Sequence, residues 1–197
     1  MTEAKTGGRT LELLKDTGAL LEGHFLLSSG LHSEHYFQCA RLLQNPEFAA
    51  ETGRALAKAC RHLEPEAVVS PAMGGIIIGH EVARALSTRG FFAERVDGIL
   101  RFRRGFTIAP GEKVLIVEDV VTTGKSTLET VDAVHAAGGE VVGLAAIIDR
   151  GGGVNLSLPF FALLGLRTPT FEARDCPFCQ ASKVPLTKPG SRDLPLP

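Results

Sequence analysis

The chain has 197 residues, 44% of them hydrophobic and 22% charged, with a net charge of −1. That length is enough to bury one sizeable core, and the balanced charge excludes the basic footprint of a nucleic-acid binder. No apolar run is long enough to span a bilayer, and the opening MTEAKTGGRT lacks the basic-then-apolar layout of a secretion leader, so a cytoplasmic protein is expected.

Thr10 to Leu21 carries apolar residues at helical spacing, Leu11 and Leu14 among them, with Gly18 as the stop. Pro46 opens a second helix running to about His62, since proline is favoured in a first turn. Ala67 to Ser70 reads as a short strand, and Gly75 to Leu86 as a helix after the turn Pro71-Ala72-Met73-Gly74. Phe91 to Arg95 and Ile99 to Arg103 read as strands joined by Asp97-Gly98, a hairpin signal. Val114 to Val117 is a fourth strand, wholly apolar, followed by a helix over residues 124–138 that Gly138-Gly139 ends. Val141 to Ile148 and Phe160 to Leu164 complete the strands, and residues 185–197, rich in proline, read as irregular. Strands alternating with helices predict an α/β fold with a parallel sheet and right-handed crossovers.

Residues 114–126, VLIVEDVVTTGKS, carry the most chemistry. A continuous, largely β-branched run suits a strand buried on both faces. It stops at Glu118 and Asp119, at the carboxyl end of a strand, where open α/β sheets bind ligands. The turn Thr122-Thr123-Gly124 then presents amides and hydroxyls at a helix N-terminus, a ready phosphate site. Two acids beside a phosphate cradle suit a phosphorylated sugar. The ending Gly124-Lys125-Ser126 imitates a P-loop, but that motif needs a glycine where Asp119 stands. A nucleotide triphosphatase is therefore excluded.

This stretch is similar to the ribose-phosphate motif of the type I phosphoribosyltransferases, which use phosphoribosyl pyrophosphate (PRPP). Residues 23–38, GHFLLSSGLHSEHYFQ, resemble the N-terminal signature of the orotate branch. SPAMGGIIIG at 70–79 resembles that branch's pyrophosphate loop, and IDRGGG at 148–153 its arginine-ended strand. The C-terminal CPFCQASKVPLTKPGSR resembles a tail found in part of the branch. The resemblance runs in order from about residue 10 onward. It implies the type I phosphoribosyltransferase fold, a mostly parallel sheet flanked by helices with a small N-terminal hood. One domain is expected: hood and helices to about residue 62, core sheet over about 63–170, and an irregular tail over about 171–197.

The resemblance also implies roles. Glu118 and Asp119 would hold the ribose 2- and 3-hydroxyls, and Thr122, Thr123, Gly124, Lys125 and Ser126 the 5-phosphate. Ala72, Met73 and Gly74 would face pyrophosphate across an unusual backbone near Ala72–Met73. Gly74 stands where many relatives carry a lysine, and Val96 departs in the same way in a shortened loop. Arg95 matches the family arginine that meets pyrophosphate, with Arg101, Arg103 or Arg104 as helpers, although Arg101 and Arg103 also suit the wet face of a hairpin. Arginine's fork suits the task. For orotate, Tyr36 and Phe37 would cover one ring face, Arg150 would pair with the carboxylate, and Ser28 and Thr122 would reach the ring edge. Catalytic weight falls on Arg95, Glu118 and Asp119. Mg²⁺ is expected through PRPP oxygens and water, since no carboxylate cluster forms a dedicated cage. A homodimer with shared sites is implied.

The four cysteines, Cys39, Cys60, Cys176 and Cys179, are too few and scattered for a disulfide scaffold. Cys176-Pro-Phe-Cys179 has metal-ligand spacing without a second pair, so reduced thiols are the expectation. His24, His32 and His35 show no ligand spacing and are read as structural or surface residues. Two alternatives stay open: a phosphoribosyltransferase for another base, and a PRPP-sensing regulator on the same fold.

Overall fold

The computed structural model describes residues 3–27, 29–151 and 158–189. Its centre is a six-stranded sheet built from β3 (Ala67–Pro71), β4 (Arg89–Val96), β5 (Ile99–Arg101), β6 (Lys113–Val121), β7 (Glu140–Asp149) and β8 (Phe160–Gly165), in the order β5-β4-β3-β6-β7-β8. All neighbours are parallel except β4 and β5, which form a hairpin. Its turn has Asp97 at φ 51° and Gly98 at φ 82°. Positive φ at both central residues gives the turn whose twist matches the strands, and Asp-Gly tolerates it.

The apolar run of β6 divides between two cores. Leu115 and Val117 pack on one face with helices α1 (Glu3–Asp16), α3 (Pro46–Cys60) and α4 (Gly75–Leu86). Val114 and Ile116 pack on the other with Val131 and Val134 of α5 (Lys125–Ala136). This is why the run does not alternate: both faces are dry, and each fully buried aliphatic side chain contributes about 1.5–3 kcal/mol. Helix α3 starts as its sequence predicts, with Pro46 in the first turn and Asn45 Oδ1 accepting from the amides of Glu47 (3.0 Å) and Phe48 (3.3 Å). Helix α4 lies close to β3, because a Cβ on Gly79 would sit 2.0 Å from Ser70 Oγ.

Three expectations are corrected. Helix α1 occupies Glu3–Asp16, ending before Gly18, and Leu20 to Leu26 form strand β1. Strand β1 pairs antiparallel with β2 (His32–Phe37), and β2 pairs with β9 (Thr170–Phe171), so the N-terminal part carries a second, three-stranded sheet. A short helix α2 (Cys39–Leu43) leads from β2 toward α3. The acids at 118 and 119 do not lie past a strand end: β6 continues to Val121, with Glu118 opposite Ala146 and Val121 opposite Asp149. Nor is all of the tail irregular. It holds β9, a 3-10 turn at Ala173–Asp175 and helix α6 (Pro177–Ala181).

Candidate active site

The last turns of β6 carry Glu118 and Asp119 to the carboxyl edge of the sheet, where the β3–α4 turn meets them. A Cβ built on Gly74 would lie 2.6 Å from Asp119 Oδ2. The turn at 72–74 and the acid pair, separated in sequence, are thus brought into contact, and the missing side chain at 74 is what lets them touch. The turn is anchored by the Ala72 amide on the Ala93 carbonyl (2.8 Å) and by the Ile76 amide on the Met73 carbonyl (3.2 Å). The Ala72–Met73 peptide bond is cis, and Met73 is 82% exposed.

Glu118 is only 5% exposed, and its Oε1 has no hydrogen-bond partner among the described residues. Burial, and then the charge of Asp119, push its carboxyl up from 4.5 to about 8, with a hydrogen bond from Ser126 pulling the other way. Asp119 is also raised by burial, opposed by backbone hydrogen bonds that include the Val120 amide on Oδ1 (2.9 Å). Neighbouring carboxylates withdrawn from water favour protons, and hydroxyl donors from a ligand would take the protons' place. Beyond them the chain turns through exposed Thr122 and Thr123 to Gly124, whose φ of 73° swings the backbone into α5. The first-turn amides of α5 have no partner within the helix and carry its positive end. Exposed Lys125 and half-buried Ser126 complete this rim.

Arg95 lies on β4 but is engaged elsewhere: its guanidinium donates to the Gly98 carbonyl and pairs with Glu129 of α5. Lys125 reaches the same carboxylate at 4.0 Å. Arg104 pairs with Glu94 at 3.1 Å, while Arg101 lies opposite Glu94 on the hairpin, exposed like Arg103.

The three-stranded sheet brings Tyr36 into the electrostatic reach of Asp119; burial first, and then that carboxylate, raise the Tyr36 phenol. Adjacent strand residues face opposite ways, so Tyr36 and Phe37 do not share a surface. Phe37 is 7% exposed and belongs to the core, where it supports Arg150, whose guanidinium lies 5.8 Å from the ring centroid. Burial lowers the Arg150 pKa. Its Nε donates to Thr168 Oγ1 (2.9 Å) and its Nη2 to Ser33 Oγ (3.0 Å). Ser33 and Thr168, which position this arginine, are absent from the expected site; two hydroxyls so far apart in sequence leave no local signal. Ser28 lies outside the described residues.

Of the histidines read as structural or surface residues, two are buried. His24 and His32 are 3% and 4% exposed and meet Cys176 and Cys179 in one cluster. The Cys-x-x-Cys spacing was the visible half of it; the other half comes from two strands of a hairpin.

Residues 38–157 match the phosphoribosyl transferase domain family. Over 184 residues the chain is 50% identical to the orotate phosphoribosyltransferase of Thermotoga maritima, covering 93% of this chain and 98% of that one. It is 52% identical over 191 residues to the orotate phosphoribosyltransferase of Erythrobacter litoralis, covering 95% and 98%. Among solved structures, the Mycobacterium tuberculosis orotate phosphoribosyltransferase in complex with PRPP superposes with a TM-score of 0.66 at 26% identity, over 82% of this chain and 96% of that one.

Proposed function

Because the chain belongs to the orotate phosphoribosyltransferases, within the phosphoribosyl transferase domain family, we infer its mechanism from the residues that line the carboxyl edge of β6. The enzyme transfers the 5-phosphoribosyl group from PRPP to orotate, giving orotidine 5'-monophosphate and pyrophosphate, in pyrimidine biosynthesis. The observation that carries the site reading is the contact of Gly74 with Asp119, which joins a pyrophosphate turn to a ribose-binding acid pair.

Cleavage of the anomeric bond gives the sugar oxocarbenium character, as in glycoside cleavage. Glu118 and Asp119 accept the ribose hydroxyls, and their negative charge suits the cation that develops. The loop from Thr122 to Ser126 and the α5 amides hold the 5-phosphate. Pyrophosphate leaves across the turn Ala72-Met73-Gly74, whose Ala72 amide stays on the Ala93 carbonyl. Arg95 neutralises it after exchanging Glu129 for the ligand. Orotate lies against Arg150, whose fork, steadied by Ser33 and Thr168, meets the carboxylate. Thr122 borders the ring edge. Hard oxygen donors at an open edge fit Mg²⁺ carried in by PRPP with waters completing its shell. When bound, the ion offsets the charge of the pyrophosphate.

The reading extends to a homodimer with shared sites in the cytoplasm; no helix among the described residues is long and apolar enough to cross a membrane. Protein mixed with Mg²⁺, PRPP and orotate should consume orotate absorbance and release pyrophosphate. Turnover of adenine, hypoxanthine or uracil with none of orotate would overturn the assignment.

A further inference from the structure

We propose that His24 Nε2, His32 Nδ1, Cys176 Sγ and Cys179 Sγ form a tetrahedral zinc site that fastens the C-terminal tail onto the three-stranded sheet. The four atoms lie within 4.8 Å of one another. His24 Nε2 is 3.4 Å from Cys176 Sγ and 3.7 Å from Cys179 Sγ, and His32 Nδ1 is 3.3 Å from Cys179 Sγ. A tetrahedron with ordinary zinc–nitrogen and zinc–sulfur bonds has nitrogen–sulfur edges of about 3.5 Å. The two nitrogens are 2.8 Å apart, closer than the corresponding edge of about 3.3 Å, so the rings separate slightly as the ion enters.

The surroundings fix which lone pairs face inward. His24 Nδ1 is 3.2 Å from the Val184 carbonyl, which can only accept, so the ring proton sits there and Nε2 is left free. That arrangement, one imidazole nitrogen on a carbonyl and the other on the ion, is the usual orientation of a metal-bound histidine. His24, His32 and Cys176 are buried, and Cys179 is partly so. Two thiolates and two neutral imidazoles around Zn²⁺ sum to zero charge, which suits a buried site. Mixed nitrogen and sulfur in a tetrahedron favours zinc over Mg²⁺. All four positions are filled by protein, leaving none for substrate, so the role is structural.

Strands β1 and β2 are paired with each other, but only two residue pairs join β2 to β9 of the tail. Helix α6 supplies Cys179 and is preceded by Cys176; β1 supplies His24 and β2 supplies His32. The tail crosses both strands beside these histidines. Phe171 pairs with His32, while Thr187 donates to the His24 carbonyl (2.8 Å) and accepts from the Leu26 amide (2.9 Å). A two-residue β9 cannot hold this by itself. The free energy of metal binding becomes folding free energy for the tail. Thr168 lies just before β9, where the tail begins, and β2 carries Ser33, so both hydroxyls that steady Arg150 adjoin the fastened sheet. The zinc site stands without the functional reading, whereas its effect on orotate rests on it.

The full chain should be purified without an affinity tag and its metal measured by mass spectrometry. We expect about one zinc per chain, and near zero in the Cys176→Ser/Cys179→Ser double variant. In case that variant does not fold, cobalt added to the apo form of the natural chain provides an independent reading. It should give intense tetrahedral ligand-field bands and thiolate-to-cobalt charge transfer, both abolished by one equivalent of zinc. Stripping zinc should lower Tm by about 10 °C or more and raise KM for orotate several-fold with KM for PRPP little changed. Zinc well below one per chain after reconstitution, or a six-coordinate cobalt spectrum, would overturn the site. So would two thiols that react freely or oxidise to a disulfide in the presence of zinc, or zinc retained by the double variant. Zinc bound with kinetics unaltered would leave the site standing and remove its coupling to orotate.

Discussion

Glu118→Gln tests the electrostatics of the acid pair in the unliganded, magnesium-free protein. The folded chain holds a proton on Glu118 up to about pH 8, whereas a free glutamate releases it near 4.5. Between those limits the native state binds more protons than the unfolded state. Stability from this group is therefore full below about pH 4.5 and falls as pH rises, by about 1.4 kcal/mol per pH unit, to a total of at most about 5 kcal/mol near pH 8. Glutamine has no such proton to lose. The variant should thus gain on the natural protein by roughly 2–3 kcal/mol between about pH 6 and pH 8, a large share of the stability of an ordinary domain. Urea unfolding followed by far-ultraviolet circular dichroism at three pH values measures this difference. The same group predicts proton release when PRPP binds near neutral pH, because ribose hydroxyls donate to the ionised acid. Calorimetry in two buffers of different ionisation enthalpy reads that release. Parallel stability profiles for the two proteins, with equal proton release, would refute the reasoning.

Gly74→Ala drives a methyl group into the Asp119 carboxylate, which lies 2.6 Å from the new Cβ; KM for PRPP should rise at least about tenfold with Tm nearly unchanged, by initial-rate assay and thermal melt. Arg95→Ala should lower kcat about a hundredfold and Arg101→Ala less than about threefold, since the proposed mechanism gives the leaving pyrophosphate to Arg95; equal small effects would count against the assignment. Glu129→Gln releases Arg95 from its partner and should lower KM for PRPP by up to about threefold in the same assay. Arg150→Lys keeps the charge but loses the fork held by Ser33 and Thr168, so KM for orotate should rise about tenfold while KM for PRPP stays.

What the sequence reveals follows from how local each cause is. Strand β6 is legible because a strand dry on both faces must be apolar at every position from Val114 to Val117. The start of α3 is legible because Asn45 and Pro46 act within one turn. Strands β1 and β2 are not, since LLEGHFL and HSEHYF mix charged, aromatic and imidazole side chains without a clean period of two. Their stability is tertiary, coming from β9, Thr187 and the cysteine pair. Within the acid site the motif contains Glu118 and Asp119, but the approach of Asp119 to Gly74 comes from the pairing of β3 with β6, which brings the β3–α4 turn beside the acids. Arg95 is legible as a cation and not as the partner of Glu129, which lies 34 residues away.

The same reasoning separates the two metal questions that the chain raises. In the proposed mechanism magnesium leaves little trace in the sequence, because its ligands there are mostly the substrate and water and no residue spacing is required of the protein. A structural zinc site demands four protein ligands, yet its pattern is hidden when they come from remote elements: Cys176 and His24 are 152 residues apart. A lone Cys-x-x-Cys reads as a pair of thiols until the hairpin supplies its imidazoles. The pairing of β1 with β2 through Leu26 and His32, and of β2 with β9 through His32 and Phe171, carries both rings to the cysteines. The register of a small sheet therefore decides whether four ordinary residues become one coordination sphere. A one-residue slip in β2 would turn His32 to the opposite face and leave three ligands.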